Sequence, residues 1–229
     1  MEENKFFKLV WRFNGLIISV AGILAVGLLA FATYKLFQDV TRERTTRNIV
    51  NIEENAEIKE NWKLGQFSEI DDGKILMLPL NSDQSFDRAY FSKSSNSTRN
   101  YLFINTDTSE EKWLFNHTDY LIERSDKLRL GGYNSKEPIV AILYQLVKLD
   151  SDHDNRLSAS DLTTIAITNP DGSAYEELIK EVELIVDHTL LNKNELFLIY
   201  QKAGVSYSAV LNLNSRELTK SHQLPKVGL

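Results

Sequence analysis

Between Phe13 and Tyr34 the chain carries no charged side chain, and the run is mostly Leu, Ile, Val, Ala, Gly and Phe. Lipid offers no water to satisfy backbone N–H and C=O groups, so such a segment must bond to itself as a helix. Twenty-two residues at about 1.5 Å each cover a hydrocarbon core of about 30 Å. Trp11 and Tyr34 stand at the two ends, where amphipathic rings prefer the interface. The pattern predicts a transmembrane helix over 13–37 behind a cytoplasmic tail of residues 1–12. Ala30-Phe31-Ala32 keeps a cleaved signal peptide open as a second reading. The length of the apolar run favours an uncleaved anchor in the lipid bilayer. Gly15-x-x-x-Ser19 and Ala21-x-x-x-Ala25 are spacings at which two helices approach closely.

Basic residues do not orient the span. Lys5, Lys8 and Arg12 precede it, while Lys35, Arg42, Arg44 and Arg47 come after it. The other 190 or so residues carry a net negative balance, the whole chain standing at -6, and their Lys and Arg are scattered. Nucleic acid is therefore excluded as an expected partner. With no cysteine, disulfides, thiolate metal sites and a Cys nucleophile are excluded as well. No HExxH, GxSxG, P-loop or GxGxxG occurs, and His117, His153, His188 and His222 lie on separate segments. The sequence reads as a non-enzyme; an anchored hydrolase with an unrecognised site is the minority alternative.

The chemistry-bearing stretch is Asp150-Ser151-Asp152-His153-Asp154-Asn155-Arg156-Leu157-Ser158-Ala159-Ser160-Asp161. Acids at positions 1, 3, 5 and 12, with an apolar residue at 8 and a hydroxyl at 9, match the ligand spacing of an EF-hand-type loop. Ca2+ needs six to eight converging oxygens. Asp150, Asp152 and Asp154 supply three, the Arg156 carbonyl another, Ser158 one directly or through water, and Asp161 closes the site. Position 6 is Asn155 instead of Gly; Asn tolerates the left-handed conformation that the bend requires. Position 12 is Asp161 instead of Glu, a shorter arm that weakens affinity. The alternative is a solvated acidic loop in which Ser158-x-x-Asp161 acts as a capping box.

Residues 38–64 are polar, with Val40, Ile49, Val50, Ile52, Ala56, Ile58 and Trp62 loosely spaced and no Pro or Gly. They predict a helical stalk. From Gly65 the texture becomes short β-like runs between Asn, Asp, Gly and Ser. Three rounds of four strands fit 65–229. The first is Lys74–Leu80, Ala89–Ser92, Tyr101–Asn105 and Lys112–Phe115. The second is Tyr120–Leu130, Ile139–Leu149, Leu162–Thr168 and Tyr175–Ile179. The third is Val182–Leu190, Glu195–Gln201, Tyr207–Leu213 and Glu217–Lys220. Each third strand runs into an Asn- or Asp-rich turn, such as Asn169-Pro170-Asp171-Gly172, before a short outer strand. The expected fold class is mostly β: an N-terminal transmembrane helix, a helical stalk, and a three-blade, propeller-like antiparallel domain with the calcium loop inserted.

Residues 74–220 resemble blades of the periplasmic TolB-like β-propellers. The resemblance rests on Tyr101-Leu102-Phe103-Ile104-Asn105-Thr106-Asp107, on Thr164-Ile165-Ala166-Ile167-Thr168-Asn169-Pro170-Asp171-Gly172 and on Glu195-Leu196-Phe197-Leu198-Ile199-Tyr200. It implies a calcium loop placed between the second and third strands of the middle blade. The short head before the span and the large tail after it, with a weak calcium site that has use outside the cytosol, predict an extracytoplasmic domain; the resemblance implies a periplasmic setting on a bacterial inner membrane anchor. Three blades do not close a propeller. Either the sheets stay open or another subunit completes the ring, with exposed edges expected around Lys74–Leu80 and Tyr207–Lys220. The expected partners are another membrane or periplasmic protein, or the chain itself as an oligomer. The functional expectation is an interaction or assembly subunit with a structural calcium ion; the alternative is a calcium-responsive sensor of a membrane partner.

Overall fold

The computed structural model describes residues 5–41, 44–52, 59–88, 91–132 and 135–225. The chain divides into two compact units, Met1–Arg44 with Ala89–Phe91, and Thr45–Arg88 with Ser92–Leu229.

The first unit is dominated by helix α1, Lys5–Thr41. Its stretch Phe7–Lys35 is long and apolar enough to cross a membrane, a test that a signal sequence passes too. Polar side chains inside the run are satisfied within the helix: Ser19 Oγ donates to the Gly15 carbonyl and Thr33 Oγ1 to the Leu29 carbonyl, each at 2.8 Å. Residues 1–4 of the expected tail lie outside the described residues.

The second unit is β throughout. Its described strands are β1 (Arg44–Arg47, with Arg44 in the first unit), β2 (Val50–Asn51), β3 (Lys59–Leu64), β4 (Ser68–Ile70), β5 (Ile75–Arg88), β6 (Phe91–Asn105), β7 (Glu111–Trp113), β8 (Leu121–Leu128), β9 (Ala141–Val147), β10 (Arg156–Leu157), β11 (Thr163–Thr168), β12 (Glu176–Val182), β13 (Leu184–Asn192), β14 (Glu195–Lys202), β15 (Val205–Asn212) and β16 (Leu218–Gln223). They form four sheets. The first has order β1-β6-β5-β3, with β4 on β5 and β7 on β6; the second is the pair β10-β2; the third is β12-β11-β9-β8; the fourth is β13-β14-β15-β16.

The second and third predicted rounds of strands are the third and fourth sheets, in the predicted antiparallel order. The β9 and β11 sequences, AILYQLV and TTIAIT, read as continuous apolar runs because both faces of this middle sheet are covered. Alternate side chains go to opposite faces. Leu143, Ile165 and Ile167 pack with Leu196, Leu198 and Tyr200 of the fourth sheet. Ile142, Tyr144 and Ala166 pack with Ile70, Met77 and Phe103 of the first.

Two expectations are corrected. The helical stalk over 38–64 is not seen among the described residues: the helix ends at Thr41, and β1, β2 and β3 take up residues 44–47, 50–51 and 59–64. Residues 42–43 and 53–58, with Ala56 and Ile58, lie outside the described residues. Helix propensity is a weak prior, and the long strand β5 offers an edge on which Lys59–Leu64 pairs antiparallel, Leu64 opposite Leu80. The pairing holds a buried polar group in place. Arg99, 7% exposed, donates from Nε to the Tyr120 carbonyl at 3.0 Å, from Nη2 to the Thr118 carbonyl, and pairs through Nη1 with Glu60 Oε1 at 3.4 Å.

The second correction concerns the first round and its edge. Of Lys74–Leu80, Ile75–Leu80 belongs to β5, which is paired on both sides, so it is not an edge. The expected separate strand at Ala89–Ser92 is not seen as such: Phe91 and Ser92 begin β6, and Ala89 lies outside the described residues. At the other end Tyr207–Leu213 is interior, and β16 is the edge strand there.

Candidate metal centre

The twelve-residue acidic stretch joins β9 to β11, and hydrogen bonds frame it from within. Asp150 Oδ1 accepts from Asp154 N at 3.1 Å, and Asp150 Oδ2 from Asn155 N at 2.8 Å. Asp152 Oδ1 accepts from Asp154 N at 3.1 Å. These bonds curl the backbone over the acids, which needs left-handed residues: φ is +62° at both His153 and Asn155. Asn155 therefore does what position 6 demanded; His153, exposed, adds a second bend that the spacing did not foretell.

The result is convergence. One carboxylate oxygen from each of Asp150, Asp152 and Asp154 lies within 4.8 Å of the others. Two oxygens across a calcium ion stand about 4.8 Å apart, twice a bond of about 2.4 Å, so the spacing suits a hard cation with oxygen ligands. Desolvation, then the charges of Asp154 and Asp161, hold the Asp152 carboxyl above its ordinary value. A cation among the three acids relieves that repulsion.

Asp161 and Ser158 are placed differently. Asp161 is 1% exposed, and its Oδ1 accepts from Ser151 N (2.6 Å), Ser151 Oγ (3.1 Å) and Asp152 N (3.3 Å), its Oδ2 from Ser158 N (2.9 Å). Ser158 Oγ accepts from Ser160 N at 3.1 Å. The bond from Ser158 N to Asp161 is one half of a capping box; the other half is absent, since Asp161 N donates to the Ser158 carbonyl, and the motif closes a turn instead of opening a helix. Asp161 is thus the internal frame of the loop, and the three-acid group lies outside it.

A further support comes from residues that the stalk reading had hidden. Arg156 pairs with Asn51 and Leu157 with Val50, while Ile52 N donates to the Asn155 carbonyl at 3.1 Å. Leu157 and Val50 pack with Leu121 and Val147, pinning the loop to the ends of β8 and β9. The signal was present: Leu157 is an apolar residue among acids and Val50 is apolar in a charged stretch, and both are buried. Beside the loop, Lys148 Nζ meets Glu177 Oε1 at 2.6 Å.

The histidines remain apart. Ser208 Oγ and His222 Nε2 are 3.0 Å apart, but Ser208 is buried, and no carboxylate ion-pairs with His222 among the described residues.

No protein-family model matches the chain, and no curated protein does. Among solved structures, it is similar to the β-propeller domain of the trilobed protease from Pyrococcus furiosus, with 7% identity and a TM-score of 0.38. The match covers 75% of this chain and 45% of that one, so this chain spans less than half of its length.

Proposed function

We propose that the protein is a single-pass, membrane-anchored, extracytoplasmic interaction or assembly subunit whose β domain carries a structural calcium ion. The observation that carries the metal is the convergence of the Asp150, Asp152 and Asp154 carboxylates within 4.8 Å on a loop already held by other groups. The Arg156 carbonyl and water complete the coordination, with Ser158 and Asp161 closing the loop around it. A loop whose backbone is fixed by Asp161 and by β2 has little room to rearrange, which favours a structural ion over a sensor. The anchor is the apolar helix, and the bacterial inner membrane with the domain on its periplasmic side is the location where a weak calcium site stays filled. An interaction role is supported by the half-buried apolar side chains on the outward faces of the first and fourth sheets, Leu76, Leu78, Phe197, Ile199 and Val210.

The test is thermal melting of the full chain in detergent, with calcium and with chelator. Asp152 is exposed and the Asp154 N–H that it accepts is also held by Asp150, so Asp152→Ala should lose the calcium-dependent rise in Tm and melt like the native chain in chelator. Equal losses in both media would show that the acids serve only the loop's own hydrogen bonds.

A further inference from the structure

The three large sheets are not equivalent in how they are covered. The middle sheet buries both faces, one against the first sheet and one against the fourth. The first and fourth sheets each pack one face into the clusters shared with the middle sheet; on the other face most apolar side chains are half-buried, with Leu102 and Ser208 buried. On β5, Met77 points into the core, so Leu76 and Leu78 point away from it. On β6, Phe103 points in, so Leu102 and Ile104 point away, with Trp113 of β7, 42% exposed, opposite Leu102. The fourth sheet repeats the pattern. Leu196, Leu198 and Tyr200 face the core, while Phe197 and Ile199 on β14 and Val210 on β15 face outward. Two faces with half-buried apolar side chains are thus left without a described sheet packed on them.

The same sheets converge. A cavity of about 780 Å³ is lined by Ser68 of β4, by Arg124–Leu128 of β8 and by Asp187–Leu190 of β13, the innermost strands of all three. Sheets that radiate from one axis belong to a ring, and closed rings of this kind use four to eight sheets. Three fall short. Two copies supply six.

We infer that the open face of the first sheet docks on the open face of the fourth sheet of a second copy, and reciprocally, closing a six-sheet dimer around a two-fold axis. This inference rests on the reading of the protein as an assembly subunit and names its partner. Each half of the contact repeats sheet-on-sheet packing that the chain makes twice within itself. Charge agrees with it at matching distance from the axis. The outermost strand of the first sheet presents Glu111, registered with outward-facing Ile104. The outermost strand of the fourth presents Lys220 and His222, registered with Val210 and Ser208 on its outward face. Four strands about 4.8 Å apart and six residues of about 3.3 Å give about 400 Å² per face. Four such faces bury about 1,600 Å² in all, the size of a standard stable interface. A two-fold ring also closes, leaving no apolar face to propagate a fibre.

The experiment uses full-length protein in mild detergent and reads mass by sedimentation with the detergent contribution subtracted. The expected protein mass is twice 26.2 kDa. The chain has no cysteine, so thiol crosslinking is clean. Glu111→Cys and Lys220→Cys are exposed substitutions that leave the core alone. Differently tagged single variants, co-expressed and treated with a short bis-maleimide, should give a covalent mixed dimer. Either variant alone should give less than a tenth as much, because Glu111 faces Lys220 of the other copy. Glu111→Lys and Lys220→Glu should each weaken the dimer severalfold, and the double variant should restore it. A monomeric mass overturns the inference, and so does a dimer without the mixed crosslink. Adducts only to a different polypeptide overturn the second copy as partner yet leave the assembly reading standing; a monomer that yields no adduct in native membranes removes both.

Discussion

Replacing Asp161 by Ala separates frame from ligand. In the native chain this carboxylate, 1% exposed, accepts four hydrogen bonds, the two shortest from Ser151 N at 2.6 Å and Ser158 N at 2.9 Å. A bond to a charged acceptor contributes about 1.5–3 kcal/mol, and such bonds do not add fully. Ser151 and Asp152 are exposed, so their N–H groups recover water when the carboxylate is removed; Ser158 is buried, and its N–H does not. Counting one bond in full and the rest at a fraction gives a loss of about 3 kcal/mol. For a unit of this size that is about 6–12 °C in Tm. The loss should be present in chelator, because it comes from the backbone donors and not from an ion. Asp161→Asn, which keeps an acceptor on one side and sets an N–H against a donor on the other, should cost about half. The measurement is thermal melting of full-length protein in detergent, with calcium and with chelator. If Asp161→Ala melts like the native chain in chelator, the carboxylate is only an ion ligand and the frame argument fails.

Two further outcomes test packing and ion pairing elsewhere in the β unit. Gly172 has φ +73° and its missing Cβ would run into the Phe103 ring, so Gly172→Ala should cost about 3 kcal/mol, of which about 1–2 is the left-handed backbone. In a Phe103→Ala background only the backbone part should remain, as urea unfolding followed by Trp fluorescence would show. Burial pushes the Glu177 carboxyl up, but hydrogen bonds from Lys148, Lys180 and Tyr175 outweigh it and hold the group below its ordinary value. Its contribution is therefore present above the unfolded value near about 4.3 and lost as pH falls through the lower folded one. Glu177→Gln should cost about 1 kcal/mol at neutral pH, and the gap to the native chain should close below about pH 4; a gap constant from pH 7 to 3 would refute the assignment.

Elements were legible in the chain wherever a short stretch decides its own conformation. The uncharged run of twenty-two residues reads as a helix long enough to cross a membrane, and α1 contains that run. The strands at Ala141–Val147, Thr163–Thr168 and Glu195–Lys202 were legible because β-branched and aromatic runs ended at Asn-, Asp- and Gly-rich turns. The three acids of the loop were legible because i, i+2, i+4 spacing in a tight bend converges whatever surrounds it. Tertiary structure decided the rest. Residues 44–64 carry no local signal strong enough to choose between helix and strand, and their described strands formed where β6, β5 and the acidic loop offered open backbone partners. Asp161 reads as a ligand by spacing and becomes a frame because Ser151, Asp152 and Ser158 point their donors at it, and where donors point is set by the whole loop. Which face of each sheet stays open was likewise invisible: Leu76 and Met77 are equally apolar in sequence, and only the packing of the sheets on one another buries one and leaves the other outward.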